Sequence, residues 1–222
     1  MSHTFAAFFD IEMYLSMGKY LLPFVMDHFK EFGIRKVTMD YLAHRLKVSK
    51  RTLYEKFSDK NKLFEVCFSN ELEQYKQEIL DLEIKVASPL ERMIKMYVLI
   101  VKQLIPYKSR FYEDVSQYPV LLGLFNSYID FTKDKCTEFL QEARKQGFLD
   151  ETKNQEAIPD FITLYVTGLL RDKQINKKLI YFRVFFIPFI ESICNDKGIE
   201  NIETKRIKLN DYINYYCEYY ES

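Results

Sequence analysis

Residues 21–66 decide the fold, and they read LLPFVMDHFKEFGIRKVTMDYLAHRLKVSKRTLYEKFSDKNKLFEV. Apolar side chains recur every three or four residues in this stretch, which predicts short amphipathic helices. Gly33 ends the first helix, and Thr38 and Ser49 are good N-caps for two more. The positions predicted to face the core are Val25, Met26, Phe29, Phe32, Leu42, Ala43, Leu46, Leu53 and Phe57. Two short helices, a tight turn and a small alanine at their crossing predict a helix-turn-helix.

The same stretch is basic within a chain that is neutral overall. The whole chain has 32 Lys and Arg against 32 Asp and Glu, which argues against a histone-like protein. Residues 28–62 contain ten Lys and Arg and four Asp and Glu, an excess of six positive charges. An excess of this size indicates a surface that neutralises DNA phosphates. The alternative, a solvated basic surface, is disfavoured by the helix-turn-helix spacing.

The third helix of this motif carries side chains suited to DNA. Because Leu53 and Phe57 lie four residues apart and face the core, other positions of this helix point outward. These outward positions are Lys50, Arg51, Thr52, Tyr54 and Lys56. Their cationic, hydroxyl and aromatic groups can reach phosphates and base edges.

This stretch resembles the DNA-binding domain of the TetR family of bacterial one-component repressors. The matching landmarks are Phe29, Gly33, Thr38, Leu42, Ala43, Val48, Ser49, Thr52, Leu53, Tyr54, Phe57, Lys60 and Leu63. The resemblance implies an all-α homodimer with a separate ligand-sensing core. Two departures stand out, since Lys47 occupies the turn where many members have Gly, and residues 23–25 are larger than usual. A positive φ at Lys47 costs about 1 kcal/mol.

The resemblance also assigns DNA contacts, position by position. The residues concerned are Thr38, Ser49, Lys50, Arg51, Thr52, Tyr54, Lys56 and Lys60. Lys50 and Arg51, at the start of the recognition helix, are expected to reach base edges. Thr38, Tyr54 and Lys60 are expected to bind phosphates, and simple packing against the fourth helix is the alternative for Tyr54.

The rest of the chain is predicted to be helical as well. Gly and Pro number six each in 222 residues, too few for a collagen-like chain and unfavourable for a sandwich or barrel. The predicted fold is all-α with two domains. Residues 1–66 hold an N-terminal extension and the three-helix DNA-binding domain, and residues 67–222 form a helical ligand-sensing and dimerisation domain. The roles of residues 1–20 and of the Tyr-rich C-terminus stay open.

Aromatic side chains are candidates for a pocket that takes a mostly apolar or aromatic molecule. They are Tyr97, Phe111, Tyr112, Phe125, Tyr128, Phe161 and Tyr165, and ordinary core packing is the alternative for each.

Two helices, near residues 157–171 and 178–195, are candidates for a dimer interface. The second is apolar on nearly all sides, and a glycine in the first permits close approach. The predicted interface residues are Phe161, Tyr165, Gly168, Phe182, Phe186, Phe189 and Ile193. Packing of the second helix inside one subunit is the alternative.

Other functional classes have little support in the sequence. No catalytic or phosphate-binding motif occurs, so there is no positive case for an enzyme, and neither a cofactor nor a metal is expected. The four cysteines are far apart and are expected to be reduced and mostly buried, namely Cys67, Cys136, Cys194 and Cys217. The longest apolar run, residues 179–190, is shorter than the roughly 20 residues of a membrane-spanning helix. A soluble, cytoplasmic protein is therefore expected.

Taken together, these features predict a ligand-responsive, dimeric transcriptional regulator. The preferred form is a repressor that a small molecule releases from double-stranded operator DNA. Two alternatives stay open: a DNA-binding protein that acts without a small ligand, and a helical sensor or scaffold that lacks sequence-specific DNA binding.

Overall fold

The computed structural model describes residues 20–104, 106–115, 117–171 and 186–204. These residues form helices and no strand, apart from an isolated antiparallel bridge between Leu149 and Cys194. The prediction of an all-α fold is therefore confirmed. In the same part of the chain, no helix is both long enough and apolar enough to span a bilayer.

The helices are numbered here in chain order over the described residues. The first, α1, covers residues 20–32. The others are α2 (Met39–Leu46), α3 (Lys50–Phe57), α4 (Lys60–Lys85), α5 (Pro89–Leu104), α6 (Ser109–Val115), α7 (Pro119–Lys145), α8 (Ile158–Arg171), α9 (Ile187–Ser192) and α10 (Asp196–Glu203).

The chain divides into two compact units. Of the described residues, the first unit contains 20–74, 106–115 and 117–124. The second unit contains 75–104, 125–171 and 186–204. Helices α4 and α7 each contribute to both units. The sequence places a boundary after residue 66, whereas the structure includes residues 67–74 and 106–124 in the first unit. The functional division into a DNA-binding and a sensing part stays a prediction.

An aromatic cluster forms the core of the first unit. The Phe64 ring lies 4.9 Å from the Phe29 ring, 5.7 Å from the Phe68 ring and 5.8 Å from the Phe111 ring. All four side chains are buried. Each such pair stabilises the fold by about 0.5–1.5 kcal/mol beyond the apolar area it buries. Helix α6, through Phe111, therefore completes the hydrophobic core below the helix-turn-helix.

In the second unit, α10 packs closely against residues 147–149. Gly198, in α10, lies so close to this segment that an added Cβ would meet the Phe148 carbonyl oxygen at 2.2 Å. The Asn195 side chain caps α10 by accepting a hydrogen bond from the Gly198 N–H. Because any larger side chain would collide with backbone, glycine is required at position 198 for this packing.

The cysteines of the described residues are reduced and buried, as predicted. Cys67, Cys136 and Cys194 are free thiols inside the two units, and Cys217 lies outside the described residues. Burial raises the pKa of Cys67 and of Cys136 to about 12 and that of Cys194 to about 11. The thiols therefore stay protonated near neutral pH and behave as small apolar groups.

Candidate nucleic-acid interface

Helix α2 begins at a capped position. The Thr38 backbone is extended (φ −114°, ψ 157°), and its hydroxyl oxygen accepts a hydrogen bond from the Tyr41 N–H over 3.1 Å. This bond satisfies one of the unpaired N–H groups at the helix start. Leu42 and Ala43 are buried, and they hold the start of α2 in the core of the first unit.

The turn between α2 and α3 depends on a left-handed lysine. Lys47 has φ 55° and ψ 36°. The Val48 N–H donates to the Ala43 carbonyl over 3.1 Å, and the Lys47 N–H donates to the His44 carbonyl over 3.3 Å. This pair of bonds is a Schellman motif, which ends α2 abruptly and redirects the chain into α3.

Helix α3 is capped by Ser49. The Ser49 hydroxyl oxygen accepts from the Thr52 N–H over 3.0 Å, and the two hydroxyl oxygens lie 2.6 Å apart. Leu53 and Phe57 are the buried residues of the helix. The outer face of α3, defined by its exposed residues, consists of Lys50, Arg51, Thr52, Tyr54 and Glu55.

Lys50 is held between two groups on this surface. Its ammonium nitrogen lies 2.7 Å from an oxygen of Asp40, in α2, and 5.9 Å from the centre of the Tyr54 ring. The hydrogen bond and charge of Asp40 raise the pKa of Lys50, so the side chain is cationic at neutral pH. The Tyr54 side chain keeps 40% of its surface exposed and is therefore available beside this cation.

Arg51 is the second exposed cation of this surface. Its side chain is 87% exposed, and its Nε donates to Glu55 Oε1 over 2.7 Å. The spacing of four residues is the one at which helical side chains become neighbours. Because the bond to Glu55 uses Nε, the N–H groups of the two terminal nitrogens can bond to other acceptors.

The connection from α3 to α4 is a tight turn at Ser58. This residue has φ 52° and ψ −55°, and the Asp59 N–H donates to the Phe57 carbonyl two residues back. Such a γ-turn with positive φ is rare and strained. The Asp59 carboxylate then caps α4 by accepting from the Lys62 N–H over 2.9 Å. The turn fixes the direction in which α3 leaves the core.

Two of the predicted DNA-binding cations are less accessible than the others. Lys56 and Lys60 are half-buried, and burial lowers the pKa of each. The Lys60 ammonium approaches the Arg35 carbonyl at 3.4 Å. The structure therefore groups Lys50, Arg51 and Tyr54 on one surface, whereas Lys60 is directed at the loop between α1 and α2.

Several charged partners are not anticipated by the sequence reasoning. Asp40 pairs with Lys50 across two helices, and Arg35 bonds through its N–H and Nε to Asp114, 79 residues away. Glu55 has a local signal, since it lies four residues after Arg51. Asp114 has none, because its pairing depends on where α6 packs.

The predicted ligand-pocket residues that the structure describes are divided between the two units. Phe111 packs in the aromatic core of the first unit, and its part in a ligand pocket stays a prediction. Tyr97 and Tyr128 are buried in the second unit, where Tyr97 stacks on Phe186 at 3.8 Å and Tyr128 lies 4.5 Å from Tyr75. Phe125 lies 6.2 Å from Tyr128, Phe161 is half-exposed, and the side chains of Tyr112 and Tyr165 lie outside the described ones.

Of the predicted dimer-interface residues, some are exposed and others are buried within the chain. On α8, Phe161 is 49% exposed and contacts the Phe189 ring at 4.7 Å, and its neighbour Leu164 is 71% exposed. Phe186 and Ile193 are buried within the chain. Gly168 lies in α8, and Phe182 lies outside the described residues.

A capped helix-turn-helix whose third helix presents an exposed lysine, arginine and tyrosine defines a class, the helix-turn-helix DNA-binding proteins. Residues 26–67 match the family model described as "Bacterial regulatory proteins, tetR family". Over these residues the chain is similar to the DNA-binding domain of that family, and this similarity supports a DNA-binding transcriptional regulator.

Comparison with other proteins extends the likeness in fold beyond this domain. No curated protein matches the chain. Among solved structures, the chain is similar to the ketosteroid transcriptional regulator KstR2 of Mycobacterium tuberculosis. The match has a TM-score of 0.54 and 16% sequence identity, and it covers 81% of this chain and 95% of that one. At this identity the likeness concerns the fold alone.

Proposed function

We propose that the protein is a homodimeric repressor that binds a near-palindromic operator and leaves it when a small, largely apolar or aromatic molecule binds. The observation that carries the proposal is the outer face of α3, where Lys50 and Arg51 stand exposed at the capped start of the helix. Two such helices, one from each subunit, enter successive major grooves about 34 Å apart.

Dimerisation is supported by the exposed apolar side chains of α8. Phe161 and Leu164 are three residues apart and therefore share one side of the helix. Large apolar groups exposed together usually mark an interaction surface. A second copy of α8 covering this surface fits the symmetry of the operator.

An apolar effector is supported by the aromatic content of the second unit. Tyr75, Tyr128 and Phe131 pack together there, and Tyr97 stacks on Phe186. The effector shifts the dimer towards a separation of its recognition helices that the operator disfavours. Helix α4 takes part in both units and is the element through which we expect this shift to pass.

A DNA-binding titration tests the operator part of the proposal. Duplexes of about 30 base pairs, long enough for two half-sites, are selected from a randomised pool by the protein itself. A scrambled duplex of the same composition is the control. Tight binding to the selected duplex and weak binding to the scrambled one support the proposal. Equal binding to both, or binding to neither, contradicts it.

Substitutions on α3 and α4 test the assignment of roles. Lys50→Ala and Arg51→Ala are expected to cost about 1–3 kcal/mol on the selected duplex and to relax base preference. Lys60→Ala is expected to weaken binding to all sequences alike and to lower the salt slope by about one. The readout is the affinity for a set of single-base variants of the selected duplex. An unchanged base preference in both α3 variants would exclude direct readout by these side chains.

The effector part is tested separately by thermal unfolding in the presence of small apolar molecules. A true effector raises the melting temperature and lowers the affinity for the selected duplex at the same concentration. Molecules that do only the first are bound without regulating DNA binding. A reporter gene under the selected operator then distinguishes repression from activation.

A further inference from the structure

Two carboxylates accompany the two cations at the start of the recognition helix. Asp40 lies 2.7 Å from the Lys50 ammonium, with 66% and 57% of their side chains exposed. Glu55 lies 2.7 Å from Arg51 Nε, with 61% and 87% of theirs exposed. Both acids therefore stand beside groups that are to meet DNA, where a negative charge opposes the approach of phosphates.

The geometry of each pair leaves donors available for bases. The Lys50 ammonium has three N–H groups, and one bond to Asp40 leaves the others to a base acceptor. Arg51 is bound at Nε, so its terminal nitrogens stay available for the O6 and N7 atoms of a guanine. Neither carboxylate has to be displaced when the cation meets a base edge.

The two acids affect binding to phosphates in DNA of arbitrary sequence differently from binding to base edges. When Lys50 and Arg51 bind phosphates alone, the nearby Asp40 and Glu55 charges subtract from the attraction at every site along the duplex. Base contacts exist only in the correct sequence, whereas phosphates are present in all sequences. The two acids therefore weaken non-specific binding more than operator binding.

From these contacts we propose that Asp40 and Glu55 are positioning residues that orient Lys50 and Arg51 towards base edges and increase sequence discrimination. This inference rests on the proposed operator binding. It assigns a role in DNA recognition to two acidic residues whose charge, considered alone, would weaken DNA binding.

The experiment compares the wild type with Asp40→Asn, Glu55→Gln and the double variant on the selected and the scrambled duplex. Affinities are measured by fluorescence anisotropy from about 50 to 200 mM salt. On the scrambled duplex, each substitution is expected to steepen the salt slope by up to about one, and the double variant is expected to bind about tenfold more tightly. On the selected duplex the affinity is expected to change less, so the ratio between the two duplexes falls.

Two further variants act as controls. Asp81→Asn removes the same charge from another exposed Asp–Lys pair, that with Lys85 in the second unit, and is expected to leave both slopes unchanged. Asp40→Glu keeps a carboxylate at the first turn of α2 and is expected to restore most of the discrimination. Circular dichroism checks that each variant is folded, and Glu55→Gln tests the inference alone if the Asp40 variants do not fold.

The outcomes separate this inference from the proposed function. If the wild type does not distinguish the two duplexes, operator binding itself fails, and the role of the acids fails with it. If the wild type discriminates and the charge-removing variants keep its salt slopes and its ratio, only the inference is overturned. An equal gain on both duplexes also overturns it, because the acids would then act on general charge and not on discrimination.

Discussion

Lys47 shows how one residue shapes the DNA-binding surface. A lysine in the left-handed region is strained by about 1–2 kcal/mol relative to right-handed backbone, and glycine would remove that strain. The same position lies between the two helices of the motif and carries an exposed positive charge. We infer that the positive charge of Lys47 strengthens DNA binding, and that this gain offsets the cost of the strained backbone.

Two substitutions separate the backbone strain from the charge at this position. Lys47→Ala removes the charge and keeps the strain, whereas Lys47→Gly removes both. We expect the glycine variant to be more stable than the alanine variant by about 1 kcal/mol in urea denaturation. Both variants are expected to weaken binding to selected and scrambled duplexes by the same factor, since each lacks the same cation. A glycine variant no more stable than the alanine variant would show that the αL conformation carries no strain.

At this scale, local signals could be read from the sequence and cross-helix contacts could not. The caps at Thr38 and Ser49 depend on residues within one turn, and both are predicted and present. The Asp40–Lys50 pair depends on the angle at which α2 and α3 cross, so no spacing rule indicates it. The chemistry of the outer face was therefore predictable, and the cross-helix pair of Asp40 and Lys50 was not.

Helices α1 and α4 are joined by a buried ion pair. The Lys30 ammonium lies 2.7 Å from Glu71 Oε1, with only 13% and 12% of these side chains exposed, and 5.1 Å from the Tyr107 ring. Burial raises the pKa of Glu71 even though Lys30 opposes the shift. Desolvation therefore outweighs the attraction for this carboxylate, and the pair is a weak source of stability.

A double substitution tests this balance. Lys30→Met or Glu71→Leu alone leaves a buried charge unpaired and is expected to cost about 3–5 kcal/mol of unfolding free energy, whereas the double variant is expected to be neutral or more stable. The pH dependence has a definite sign. The unfolded chain releases the Glu71 proton near its ordinary pKa of 4.5 and the folded chain releases it only at higher pH, so wild-type stability falls as the pH rises through that interval. The double variant lacks this contribution.

Denaturant titrations at several pH values from about 4 upward provide the measurement. A double variant as unstable as the single ones would show that the ion pair itself is needed to join the two helices. A wild-type stability that rises with pH relative to the double variant would contradict the direction of the Glu71 shift.

The placement of α6 illustrates what helical periodicity leaves undetermined. Its aromatic residue Phe111 is a candidate for a ligand pocket because it is one of several aromatic side chains of the predicted core. In the structure it packs against Phe64 and Phe68 in the first unit. Periodicity indicates that a side chain is buried, whereas the partner that buries it lies more than 40 residues away along the chain. Contacts between distant elements therefore had to come from the structure.

The distribution of charge over the molecule explains how a neutral protein binds DNA. Residues 28–62 carry an excess of six positive charges, so the remaining residues carry the opposite excess in a chain whose total is zero. Long-range attraction therefore comes from this segment, and the net charge of the remaining residues opposes it. Such an arrangement favours one orientation of approach, which suits the proposed operator complex with its two recognition helices.

The exposed apolar side of α8 is the feature that supports the proposed dimer. Phe161→Glu and Leu164→Glu place a charge among the groups that a second subunit would bury. We expect each to weaken dimerisation by at least about 2 kcal/mol, close to thirtyfold in the dissociation constant. Sedimentation velocity measures the oligomeric state, and DNA affinity is expected to fall with it because one recognition helix alone contacts only one half-site. Ile84→Glu is the matched control, since Ile84 is 83% exposed on α4 and is not part of the proposed interface. If Ile84→Glu dissociates the dimer and the α8 variants do not, the interface lies elsewhere. A wild type that is monomeric at all concentrations would exclude the dimeric operator complex altogether.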